Sequence, residues 1–354
     1  MKNIFLLFII FSFSLNLLAQ GDETFSRTAK KNDLHFIKRE RVLNALQEVM
    51  GNLPDTTKPE NLYIVYRDSL HTDVYTRYLI TFSPVNNEEV TAYLYMPKKR
   101  SSSEKLPGMV VLHGTGDLGK RLVDGESRLS NRAQAKELAE RGYVVIAPDY
   151  PSMGEQKDYD FHSDRYESGT MKGIFNHIRC LDVLSEIENV DGSRLGVLGH
   201  SLGGHNAMFL GAFDERVKVV VSSSGWTLFD YYNVGNAYGG RLGPWAQDRY
   251  MPYFRTKYGL EGSKIPFDFD DVIAAIAPRS FFSNSPVNDS NFDVEGVKKG
   301  IENARKVYRY LNAEDNLQVR YPLAEHDFPT QTRKEAYEFI DKTLQHTPNM
   351  HVIE

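Results

Sequence analysis

The apolar run Arg194-Leu195-Gly196-Val197-Leu198 leads directly into Gly199-His200-Ser201-Leu202-Gly203-Gly204, and few local patterns restrict a fold as strongly. A serine hydroxyl becomes a nucleophile only when it is lifted clear of the backbone and given a base, and a sharp strand-to-helix turn does the lifting. Such a turn brings two backbones so close that residues two positions either side of the serine must be small. Gly199 and Gly203 meet that requirement. The helix-like continuation His205-Asn206-Ala207-Met208-Phe209-Leu210 would aim its first free N–H groups and positive dipole end at the same point, making Leu202 N–H a natural oxyanion donor. A bare G-x-S-x-G arises by chance in ordinary turns. Its placement between a β-type run and a helical one gives this copy its weight.

A serine nucleophile of this kind needs an acid and then a histidine, in that chain order, each at the end of a later strand. Leu317-Gln318-Val319-Arg320-Tyr321-Pro322 reads as a short strand, and Glu325-His326-Asp327-Phe328-Pro329 follows it ahead of a helix over Arg333 to Leu344. Of the ten histidines, only His326 lies in a post-strand loop near the chain end. His200 and His205 flank the serine on the wrong side of the turn and read as packing residues. His113 reads as an anchor of its own loop. The acid has two candidates in the loop after the strand Arg279 to Asn284. Asp289 comes early, where a carboxylate would emerge above the sheet edge, whereas Asp293 opens a helix over Val294 to Tyr310, a favoured N-cap position. Asp289 is preferred, Asp293 stays open, and Asp230 is a weaker third. The second oxyanion donor is expected from His113-Gly114-Thr115-Gly116, after the strand Met109 to Leu112, through Thr115 N–H or Gly114 N–H.

Together these pieces resemble the α/β-hydrolase superfamily, and in particular its dienelactone-hydrolase-like and acetyl-xylan-esterase-like serine esterases. The resemblance runs from about Gly108 to Leu344. It is carried by His113 to Gly116, Arg141-Gly142-Tyr143-Val144-Val145-Ile146-Ala147-Pro148-Asp149-Tyr150, the Ser201 turn, Asp289 and His326-Asp327-Phe328-Pro329. It implies an α/β fold with a mostly parallel central sheet flanked by helices, and a Ser-His-Asp hydrolase acting through an acyl-enzyme with no metal and no organic cofactor. Ser201, His326 and Asp289 occupy the matching positions. Dienelactone hydrolases themselves use a cysteine nucleophile, so Ser201 argues against that activity.

Composition agrees with an enzyme of this class. A chain of 354 residues with 41% hydrophobic content can bury one large core. The net charge of -5 with no bunched basic residues excludes a nucleic-acid partner. The single cysteine, Cys180, rules out an internal disulfide and reads as a small hydrophobe in a helix over Thr170 to Ile187. Lys2, the apolar run Ile4 to Leu18 and Ala19 read as a signal peptide over residues 1–19, giving an exported protein, periplasmic or extracellular, without stable membrane association after cleavage. Residues 20–107 are expected to supply an N-terminal helix and antiparallel opening strands, residues 108–346 the catalytic core, and residues 347–354 a tail.

One interval departs from the simple alternation of strand and helix. Residues 222–278, expected between the sixth and seventh core strands, are rich in Trp, Tyr and Phe. They would form an aromatic cap, with Trp226 and Tyr232 as candidate substrate contacts and most other rings packing the insertion against the sheet. The leading expectation is an exported carboxylic-ester hydrolase of small-molecule or polysaccharide esters, acetyl or a related acyl group. The alternative is a serine peptidase or amidase of the prolyl-oligopeptidase kind, although only residues 1–107 precede the sheet. A binding module without activity comes third.

Overall fold

The computed structural model describes residues 35–36, 38–85, 87–98, 103–232, 234 and 239–349. The expected signal peptide, residues 1–19, lies outside the described residues. A nine-stranded sheet runs through the molecule in the order β1-β2-β3-β5-β4-β6-β7-β8-β9. The strands are β1 (Val65–His71), β2 (Tyr75–Phe82), β3 (Val90–Pro97), β4 (Leu106–Leu112), β5 (Val144–Pro148), β6 (Val190–His200), β7 (Val217–Ser223), β8 (Ser280–Asn284) and β9 (Leu317–Arg320). β1, β2 and β3 are antiparallel, as is the β3–β5 pair, and every pairing from β5 through β4 to β9 is parallel. This is the mostly parallel α/β sheet expected of the chain.

Alternation along the central strands explains why helices cover both faces. Val110 and Leu112 of β4, Val144 and Ile146 of β5, and Val197 of β6 point into one core. Their neighbours Met109, Val111, Val145, Ala147 and Leu198 point into the other. Strands apolar on both faces must be buried on both. The first core is closed by a helix over residues 38–50 (α1) together with α3 (Gly169–Glu186), α4 (Leu202–Phe213), α6 (Phe269–Ile276) and α7 (Val294–Tyr310). The second is closed by α2 (Gln134–Glu140) and α8 (Thr330–Thr343); α5 (Tyr253–Thr256) is a single turn in the aromatic segment. Cys180 is buried and free within α3. Among the described residues no helix is long and apolar enough to cross a membrane.

The first of the antiparallel opening strands lies at Val65–His71. Tyr63 has φ 48°, which breaks an extended run ahead of it, and β1 is an exposed edge whose sides carry no apolar alternation to mark its register. The aromatic segment, residues 222–278, enters where its bounds place it, between β7 and β8; these are the seventh and eighth of the nine strands and not the sixth and seventh.

Candidate active site

Ser201 stands between β6 and α4 with φ 56° and ψ -118°, a strained conformation for a residue with a side chain. The crowding around it is measurable. A Cβ on Gly199 would lie 2.0 Å from Gly203 O, and one on Gly203 would lie 2.0 Å from Leu112 O. The turn therefore admits only glycine at these two positions, the requirement read from the sequence.

The loops after β8 and β9 bring two further side chains to the serine. His326 Nε2 lies 2.9 Å from Ser201 Oγ, and His326 Nδ1 lies 2.9 and 3.0 Å from the two carboxylate oxygens of Asp289. A carboxylate can only accept, so Nδ1 carries the proton and the bare Nε2 of a neutral ring accepts from the serine hydroxyl. Asp289 is buried and its Oδ1 also accepts from Asn291 N–H and Phe292 N–H, which fixes the carboxylate in place. Asp293, four residues on, faces elsewhere: it caps α7 by accepting from Glu295 N–H at 2.8 Å. Asp230 lies in a short 3-10 turn and accepts through its carbonyl from Arg241.

The other histidines near the turn are held in structural bonds. His113 Nε2 accepts from Tyr150 N–H, so its Nδ1 donates to Gly114 O, anchoring the loop after β4. His200 Nδ1 lies 2.9 Å from Ser223 Oγ, and His205 Nδ1 lies 3.2 Å from Gly225 O. Burial holds His113, His200 and His205 below the usual histidine range, His205 at about 3, so each stays neutral.

Gly114 approaches Ser201 closely, since a Cβ there would lie 3.5 Å from Ser201 Cβ. Among the described residues neither Leu202 N–H nor Thr115 N–H is bound to a backbone carbonyl, and Thr115, Leu202 and Ser201 share one cavity wall. These amides are available to a developing oxyanion. The segment after β4, which carries Thr115, is pinned by a buried pair. Asp149 accepts from Lys120 N–H, Lys120 Nζ, Thr91 Oγ1 and Glu155 N–H, and both Lys120 and Asp149 are buried.

Ser201 lies where two cavities meet. One, of about 180 Å³, borders His326 and includes Gly114, Arg132 and Gln134. The other, of about 360 Å³, borders Leu202 and is walled by Tyr232, Trp245, Gln247, Arg249, Tyr250 and Phe292. Tyr232 thus faces a cavity at the serine. Trp226 does not: it is 1% exposed, its Nε1 donates to Ser283 Oγ, and its ring packs near Phe269, so it belongs to the core beneath the site. A large flat ring fills the space between α6 and the sheet more readily than an opening.

Several residues at the site carried no sequence signal. Arg132 Nη2 donates to His326 O, and Asn131 Nδ2 donates to the Asp327 carboxylate at 2.5 and 2.6 Å, so a turn before α2 grips the histidine loop. Asn284 Nδ2 bonds both Ser223 Oγ and Asp327 O, tying that loop to β7. These contacts span long sequence separations with no local periodicity to reveal them. No group of three or more His, Cys, Asp or Glu that could hold a metal ion occurs among the described residues.

A sheet of this order with a strained serine after its central strand defines an α/β-hydrolase. Comparison with known proteins sharpens the class. Residues 144–312 match the family model described as glucuronyl esterase, fungi. A putative hydrolase of Bacillus subtilis, YtaP, is 25% identical over 310 residues, covering 84% of this chain and 97% of that protein. Among solved structures, the glucuronoyl esterase of Solibacter usitatus superposes with a TM-score of 0.65 at 18% identity, covering 86% of this chain and 92% of that one. A putative acetyl xylan esterase of Bacteroides fragilis superposes with a TM-score of 0.62 at 19% identity, covering 83% and 76%. The chain has the α/β-hydrolase fold, and its residues 144–312 are similar to the glucuronyl esterases.

Proposed function

We propose that the protein cleaves carboxylic esters of carbohydrates, with Ser201 as nucleophile, His326 as general base and then general acid, and Asp289 as the group that orients His326. The observation that carries this reading is the continuous hydrogen-bond path from Asp289 through His326 to Ser201 Oγ, at 2.9 to 3.0 Å, at the meeting point of two cavities. Ser201 Oγ attacks the ester carbonyl while its proton passes to His326 Nε2, and Leu202 N–H with Thr115 N–H or Gly114 N–H stabilises the oxyanion. Protonated His326 then gives that proton to the departing alcohol. Water enters on the same side, His326 takes its proton, and the acyl-enzyme is hydrolysed.

The match to the glucuronyl esterase model favours a uronic-acid acyl group over the acetyl group expected from the sequence. Space on both sides of Ser201 suits an ester with a substantial group on either side of the carbonyl. Export, expected from residues 1–19, suits a polysaccharide substrate.

Turnover of a benzyl glucuronate ester, an acetylated xylo-oligosaccharide and a peptide anilide by purified protein tests the substrate class. The uronate ester is expected to be the best substrate and the anilide inert. Cleavage of the anilide alone would establish the peptidase alternative. Ser201→Ala is expected to lower ester turnover by a factor of thousands or more while leaving the circular dichroism spectrum unchanged. Labelling by a fluorophosphonate should disappear with it, and labelling at another residue would remove Ser201 from its role.

A further inference from the structure

Each cavity at Ser201 contains one arginine and no carboxylate among its described lining residues, but the two arginines are engaged differently. Arg132 already donates to His326 O and lies 3.6 Å from the Asp327 carboxylate, so its charge is met within the protein. Arg249 has no such partner. Among the described residues its guanidinium makes no hydrogen bond and no ion pair, although it forms part of the wall of the larger cavity and is only partly exposed.

Its main chain, by contrast, is tied down at every turn. Arg249 O accepts from Tyr150 Oη at 2.6 Å. The carbonyls on either side, Asp248 O and Tyr250 O, accept from Gly169 N–H and Thr170 N–H in the first turn of α3. The contact is so close that a Cβ on Gly169 would lie 2.4 Å from Arg249 O. Tyr250 Oη reaches Thr115 Oγ1 at 3.0 Å, which links the segment to the oxyanion loop. A fixed backbone with five unspent N–H donors at a cavity wall is a pre-organised receptor for an oxyanion, and the guanidinium fork matches a carboxylate. Around it, Trp245, Tyr232 and Tyr250 offer rings of the kind that pack against sugar faces.

Resting on the esterase reading above, we propose that Arg249 binds a free carboxylate on the sugar next to the esterified one, so that the preferred substrate is an ester of an acidic oligosaccharide. The reacting ester carbonyl is neutral and gives Arg249 nothing to pair with. A second, unesterified uronic acid would.

The test uses two benzyl esters of one uronate disaccharide. In one the neighbouring sugar keeps its carboxylate; in the other that group is reduced to the alcohol. Wild-type protein is expected to favour the acidic ester in kcat/KM. Arg249→Gln should lower kcat/KM for it by roughly 10- to 100-fold, mainly through KM, and leave the neutral ester within about twofold. Arg249→Lys should recover part of the loss, and added salt should erode the preference. Equal losses on both esters, or none, would overturn the inference while leaving the esterase reading intact. A binding measurement by calorimetry with the unesterified diuronic acid separates the two readings. If neither ester is cleaved but binding is abolished by Arg249→Gln, the anion site stands and the esterase reading falls. If neither ester is cleaved and binding ignores Arg249, both fall.

Discussion

The turn around Ser201 and the wall formed by the segment between β7 and β8 face the same cavity, yet they are built on opposite terms. The turn has no free space: backbone atoms stand 2.0 Å from where Cβ atoms of Gly199 and Gly203 would be. The wall has space and, among the described residues, an unpaired guanidinium at Arg249, which stands with Tyr232, Trp245 and Tyr250 around a cavity of about 360 Å³. Crowding holds Ser201 in one strained conformation, which the proposed nucleophilic step requires. Openness lets side chains meet a substrate that the chain does not contain. Damage to the first region should therefore act on every substrate or on the fold itself, and damage to the second should act on choice among substrates.

The sharpest test of that division is the carboxylate behind His326. Asp289→Asn leaves the shape of the loop but offers the imidazole an amide in place of a charge, so the ring loses its orienting acceptor and the stabilisation of its protonated form. A fall in kcat of about 10⁴-fold is expected, equally for small and bulky esters. Steady-state kinetics on p-nitrophenyl acetate and on a benzyl uronate ester checks it. A loss confined to the bulky ester would place Asp289 with the recognising wall instead.

Gly203→Ala attacks the turn without touching a reactive group. Its methyl would meet Leu112 O and His113 O, backbone atoms of the strand end that carries the oxyanion loop. Neither can swing aside as a side-chain tip could, so a destabilisation of about 3 kcal/mol or an insoluble product is expected. Thermal unfolding beside Gly239→Ala makes the contrast, because among the described residues a Cβ on Gly239 would meet nothing nearer than Arg255 Nη1 at 3.8 Å; its φ of +74° leaves only a modest backbone strain. Similar losses at both glycines would mean that crowding is not what singles out the turn.

The same contrast decides how much could be read in advance. The sheet, the glycine pair and the order of Ser201, Asp289 and His326 along the chain all leave local marks: apolar runs, a turn motif, residues just past strand ends. Strand packing and close backbone approach act on neighbours in sequence, so they write themselves there. Arg249 and Arg132 leave none. What distinguishes them is which partners they have or lack, and those partners lie across the fold, as with Arg132 and His326 O. Trp226 was misread for a related reason. Aromatic richness in the segment marks rings, but only packing against Ser283 and Phe269 puts this one beneath the site while Tyr232 reaches the cavity.

Acid should reveal the buried histidines. Burial pushes His177 in α3 and His205 in α4 down to about 3. An unfolded histidine titrates near 6.5, so between those values the unfolded state binds more protons than the folded one. Their contribution is complete above about pH 6.5 and is lost as pH falls toward 3, at up to about 1.4 kcal/mol per pH unit for each. Urea unfolding at pH 7.5, 5.5 and 4.5 measures this slope. His177 Nδ1 has no hydrogen-bond partner among the described residues, so His177→Leu should keep stability near neutrality and flatten the acid slope. An unchanged slope would show that the histidine opens to water before it titrates.

The smallest effect is expected at the carboxylate that the sequence left as a rival to Asp289. Asp293 begins α7, its Oδ1 accepting from Glu295 N–H at 2.8 Å, while its carbonyl accepts from Thr227 Oγ1. Asp293→Ala removes only the side-chain bond, since the carbonyl stays. Losing such a cap costs about 1 kcal/mol. In a protein of 354 residues that lowers Tm by about 1 °C. Activity on both the small and the bulky ester should stay within about twofold, because the bonds that fix Asp289 come from Asn291 and Phe292 N–H and not from the helix cap. A loss of turnover near that of Asp289→Asn, with Tm unchanged, would reverse the two roles and move the acid of the site to the mouth of α7.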